Sequence, residues 1–177
     1  MRIHYDTAPA RITLADVARE AGVVPATLVQ RFGSKRGLLE AALRMGLADL
    51  RAGLDAASGV AEDDPRAALD GVVHVLMPVD RTPTQIANTI AQLHLELSDP
   101  GLRPLVVEHM VAVREAFAVV LAAMREAGQV SDAVGPRSLA EVVTTAWSGA
   151  LVRFAIEGEA GDSSRRWIAR AIGDVLE

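Results

Sequence analysis

The stretch that most constrains this chain is TLADVAREAGVVPATLVQRFGSK, residues 13–35. Thr13 followed by Asp16 is a helix-start pair: the hydroxyl can accept a backbone N–H and the carboxylate can reach back. Leu14, Val17, Ala18 and Ala21 continue at helical spacing. Gly22 ends the run, because a left-handed residue costs glycine little. Pro25 stands where a second helix would begin and its missing N–H goes unnoticed. Leu28 and Phe32 give that helix one apolar face. Two short helices joined by a glycine turn, the second with a polar outer edge, form a helix-turn-helix.

The rest of the chain repeats the same helical punctuation. Gly33 breaks the second helix, and Ser34 caps a third that runs to about residue 57 on Leu38, Leu39, Ala42, Leu43, Leu47, Leu50 and Leu54. A polar linker covers 58–64. Asp64-Pro65 and Thr82-Pro83 are two more cap-then-proline starts, predicting helices to Met77 and Ser98. The second of these should turn Ile86, Ile90, Leu93 and Leu97 inward. Residues 102–127 are apolar on most sides, the pattern of a buried helix. Pro136 opens a helix to Gly158, and Asp162 or Ser163 caps a last one bearing Ile168, Ala171, Ile172, Val175 and Leu176. Residues 1–11 carry Pro9 and no helical period, and read as extended or disordered. No stretch reads as a strand. The predicted class is all-α, a helix-turn-helix head (1–45) on a helical body (46–177), divided inside the connecting helix.

Charge is unevenly placed. Residues 1–45 hold seven basic side chains (Arg2, Arg11, Arg19, Arg31, Lys35, Arg36, Arg44) against four acidic ones (Asp6, Asp16, Glu20, Glu40), a net +3 in a chain of −5. A basic head on an acidic body suits contact with phosphate at one end only. The absence of cysteine excludes disulfides and thiolate metal sites and fits a reducing, cytoplasmic setting. No uninterrupted apolar run spans a bilayer.

DVAREAGV, ATLVQRF, GSK and the Leu-rich helix after them resemble the DNA-binding domain of the tetracycline-repressor (TetR) family of bacterial regulators, over residues 12–43. The resemblance implies that Pro25, Ala26, Thr27, Val29 and Gln30 face the major groove, and that Thr13 and Lys35 touch phosphate. Read from their own chemistry, Thr27 and Gln30 can hydrogen-bond base edges, and Arg31 can meet phosphate or a guanine edge. Lys35, the only lysine, stands at a helix N-terminus, whose partial positive charge also attracts anions. Three features depart from the family. The helix it places before this motif has no counterpart in residues 1–11. Val24 replaces a capping hydroxyl, a difference of ~1 kcal/mol. Val29 replaces a Tyr that positions the protein on phosphate.

The resemblance also implies a ligand cavity in the body and a homodimer seam from the last two helices. The stripes of those helices exceed what a small body should expose, so Leu139, Val143, Trp147, Leu151, Phe154, Ile168, Ile172 and Val175 are the expected dimer contacts. His74, Asn88, His94, His109 and Trp147 are the candidate ligand contacts, in a pocket suited to a small lipophilic molecule. His94 and Glu96 fall on different helix faces, which argues against a metal site. With no phosphate loop, nucleophile elbow or HExxH, neither an enzyme nor a cofactor is expected. The reading is a DNA-binding regulator, a ligand-released repressor that binds a palindromic operator as a dimer. The alternative is a dimeric small-molecule sensor or interaction protein whose DNA binding is lost or weakened, which Val24, Val29 and the missing leading helix favour.

Overall fold

The computed structural model describes residues 12–176. The expected extended stretch over 1–11, and with it the question of a leading helix, lies outside the described residues. Every element among them is helical: α1 (Leu14–Glu20), α2 (Pro25–Phe32), α3 (Lys35–Ser58), α4 (Pro65–Leu76), α5 (Pro83–Ser98), α6 (Arg103–Glu126), α7 (Pro136–Glu157) and α8 (Ser164–Leu176).

The head is defined by its caps. The Thr13 hydroxyl accepts from Asp16 N at 3.2 Å, and the Asp16 carboxylate accepts from Thr13 N at 3.0 Å, a complete capping box. With the Thr13 hydroxyl, its N–H and Arg19 all donating to it, the Asp16 carboxyl titrates at about 2. At the other end, Val23 N donates to Ala18 O and Gly22 N to Arg19 O, with Gly22 at φ +67°. This paired closure places a left-handed residue just past the helix, where a side chain would be strained. Ala18 and Leu28 are buried between the helices, and Val17, Phe32, Leu38 and Leu39 are half-buried around them.

In the body, α3 packs on α4 and α6, α6 on α7, and α7 on α8, while α5 lies against α6 and α7. Phe117, Leu121, Met124, Phe154, Ile168 and Ile172 are fully buried in one continuous core. Phe154 meets Trp167 edge-to-face at 5.5 Å and 74°, the favoured geometry for two ring quadrupoles. Ser163 caps α8 by accepting from Arg166 N, and Asp80 reaches across from the α4–α5 loop. The Asp80 carboxylate accepts from Arg165 N and from the Ser163 and Ser164 hydroxyls, contacts that hold it below the usual carboxylate range.

Three expectations change. On α5, Leu93 and Leu97 are exposed and Glu96 is buried instead. The helix turns its last apolar positions outward and carries a carboxyl inward. On the last two helices, Val143, Phe154, Ile168 and Ile172 are at most 1% exposed, and Trp147 is 8% exposed. Their stripe is the subunit's own core and is not available to a partner. Only the half-buried Leu139, Leu151 and Val175 of that set reach the surface. Finally, α7, at 22 residues and mean hydropathy 1.3, is long and apolar enough to cross a bilayer. Thr, Ser and Gly interrupt its apolar runs, which is why no single run in the sequence stands out. One face of α7 is packed into the bundle, and Arg137, Glu141, Arg153 and Glu157 lie along the helix.

Candidate nucleic-acid interface and body cavity

The outer face of α2 is open. Pro25, Ala26, Thr27, Val29, Gln30 and Arg31 are all exposed, while Leu28 points inward. Thr13 and Lys35, also exposed, stand at the starts of α1 and α3 respectively, so helix N-termini flank this face. Ser34 caps α3 by accepting from Gly37 N at 3.0 Å, leaving the first-turn dipole beside Lys35. The Arg31 guanidinium lies 5.4 Å from the Phe32 ring centroid, which steadies it at the C-terminal end of α2. Val24 adopts the extended N-cap backbone but makes no side-chain cap. An exposed row of hydrogen-bonding and small side chains with a cation at its border can enter a groove and hold phosphate.

Next to Lys35, Arg36 points the other way. Its Nε and Nη2 donate to the two carboxylate oxygens of Asp99 at 2.6 and 2.9 Å, a bidentate pair. Asp99 also accepts from Gly101 N at 2.8 Å. The Arg36 guanidinium, and next the Gly101 N–H, hold the Asp99 carboxyl at about 2. A Cβ at Gly101 would run into the Arg36 guanidinium, which would have to swing aside from its present position. The pair joins the first turn of α3 to the C-terminal cap of α5.

Helix α5 also forms a wall of a body cavity of about 690 Å³. Leu43, Leu47 and Leu50 of α3, Met110 of α6 and Leu151 of α7 supply much of its apolar lining, with Thr89, Gln92, Glu96, Arg81, Asp49 and His109 as the polar and charged groups. Burial pushes the Glu96 carboxyl up and the His109 imidazole down, because it penalises the charged form of each. Of the expected ligand contacts, His109 and Trp147 line the cavity. His74 instead faces Arg165, Nη2 to Nδ1 at 2.9 Å, and neither Asn88 nor His94 is in the wall. Glu96 and Arg81 also line the cavity, although the sequence pattern does not single them out. The only sequence signal for Glu96 is its place one residue before Leu97 on a helix whose inward face drifts.

Residues 1–42 match the family described as bacterial regulatory proteins, tetR family. The chain is 42% identical over 85 residues to the HTH-type transcriptional regulator BetI of Agrobacterium fabrum; the match covers 45% of this chain and 39% of that protein. In fold it is similar to a putative TetR-family transcriptional regulator from Rhodococcus sp., at TM-score 0.66 and 24% identity over 99% of this chain and 93% of that one. It is also similar to the TetR-family regulator PfmR of Thermus thermophilus, at TM-score 0.67 and 20% identity over 99% and 97%. The Thermus thermophilus repressor FadR, solved in complex with lauroyl-CoA, aligns at TM-score 0.57 and 18% identity over 100% and 89%.

Proposed function

We propose that this chain is a DNA-binding transcriptional regulator, a repressor that a small ligand releases from a palindromic operator. The observation that carries the reading is the open face of α2, with Thr27 and Gln30 displayed and Lys35 at its border. Thr27 and Gln30 read base edges, Thr13 and Lys35 hold phosphate, and Arg31 serves either. BetI and these solved proteins are named as transcriptional regulators. The head of residues 1–45 and the body of 46–177 meet inside the unbroken helix α3, so a tilt of the body moves the reading face.

The proposed dimer seam is the outer face of α7. Val142, Thr145, Gly149, Val152 and Ile156 are all exposed and follow one another at alternating three- and four-residue steps. That spacing is the seam of a helical bundle, and nothing lies near a Cβ built on Gly149, which leaves room for a partner helix. A twofold dimer displays two α2 helices to two half-sites. FadR was solved with an acyl-CoA, which supports reading the cavity as an effector site here. Ligand entry would bias α5, and the Arg36–Asp99 pair would pass that bias to the residue beside Lys35. The ligand must bind the two head arrangements with different affinity.

A gel shift with the upstream intergenic DNA tests the reading. Specific, salt-sensitive binding is expected, and Lys35→Ala should weaken all sequences about equally and lower the salt slope by about one. No binding at low salt would favour instead a dimeric sensor that has lost DNA contact, which the uncapped Val24 also fits.

A further inference from the structure

Glu96 is the largely buried carboxyl of the cavity wall, and Trp147, another lining residue, has its indole N–H buried without a partner among the described residues. Glu96 is 8% exposed, and Gln92 Nε2 donates to its Oε1 at 2.9 Å. Its Oε2 takes no hydrogen bond from the described residues, and no cation among them pairs with it. The other charged or titratable groups around the cavity are Asp49 on α3, Arg81 on the α4–α5 loop and His109 on α6. Burial discourages His109 from protonating, and Arg81 is not among the groups that act on the Glu96 charge. The wall therefore holds two carboxyls against one guanidinium. A largely buried carboxylate with no countercharge beside it is costly, and a cation entering the cavity offsets that cost.

We propose that the cavity takes a lipophilic amine, bound as its ammonium. An N–H donates to Glu96 Oε2, and the hydrocarbon body lies against Leu50, Leu93, Met110 and Leu151. The amine's charge replaces the missing partner, and Gln92 fixes the carboxylate to receive it. This assignment rests on reading the cavity as the effector site.

Octylamine, 1-octanol and octanoate, titrated calorimetrically into the full chain at neutral pH, test the ligand class. The ammonium should bind at least ~10-fold tighter than the alcohol, as a charge-assisted bond requires. Glu96→Gln should remove that preference, and alcohol binding that persists in the variant shows that the cavity is still folded. Glu96→Asp, which keeps the charge, should retain part of the preference. The proposal is overturned if octanoate binds tightest, if the preference survives Glu96→Gln, or if none of the three binds. Operator release is measured separately. An amine that binds through Glu96 without releasing DNA leaves the ligand class standing and removes the ligand-released repressor.

Discussion

Helix α2 should be stabilised by a single hydroxyl. Val24 already has the backbone of an N-cap, φ −83° and ψ 149°, yet its side chain makes no cap, whereas Thr13 and Ser34 cap the helices on either side. With Pro25 at the first helical position, the orphan donors within reach are Ala26 N and Thr27 N. Thr27 N makes only a turn bond of 3.0 Å to Val24 O. In Val24→Ser the hydroxyl would accept from one of these donors. Val24 is 63% exposed, so removing its methyls sacrifices little burial. The gain is then the cap itself, ~1 kcal/mol, or about fivefold in the local opening equilibrium. Amide hydrogen exchange reads this directly. The α2 amides, and Gly33 N bonded to Val29 O at 2.8 Å, should exchange about fivefold more slowly, while the body amides stay unchanged. Val24→Ala is the control, since it lacks the acceptor. If Ser and Ala protect α2 equally, the helix start is not limited by its missing cap and the argument is wrong.

Other consequences can be checked independently. Asp99→Asn weakens the bidentate contact with Arg36 and should leave operator binding without effector intact while blunting release by effector, read by fluorescence anisotropy. The same pair carries a pH signature. Asp99 titrates at about 2 against an ordinary 3.8, so its contribution is present above the ordinary value and is lost as pH falls from about 4 towards 2. Urea midpoints over that range should fall less for Asp99→Asn than for the parent. Ile156 is 76% exposed on the proposed seam, so Ile156→Arg should halve the solution mass by light scattering without lowering helix content. Phe154→Ala, by contrast, empties a fully buried site against Trp167. It should cost about 3–5 kcal/mol, on the order of 10 °C in melting temperature.

The contrast between Phe154 and Ile156 shows what patterning can and cannot reveal. Both are large apolar residues on α7, and the periodicity places each on an apolar face. Which face meets the subunit's own core and which is left over depends on where α6 and α8 lie, and neighbouring helices are not written in a helix's own period. The same holds for Glu96, whose inward direction follows from the packing of α5 on α6 and α7.

Local chemistry determined the boundaries of the elements. Thr13 with Asp16, Gly22, Pro25, Ser34, Asp64-Pro65 and Thr82-Pro83 each act within one helical turn, so the sequence alone placed the helix-turn-helix and the body helices to within a residue or so. Tertiary structure decided everything that depends on distance along the chain. It joined Arg36 to Asp99 across 63 residues, drew α3, α5, α6 and α7 around one cavity, and turned Glu96 towards it. It also assigned the inner stripe of α7 to the core and left the Val142–Ile156 stripe exposed. Caps and turns are satisfied by neighbours in sequence. Buried charge, cavities and seams are satisfied only by neighbours in space.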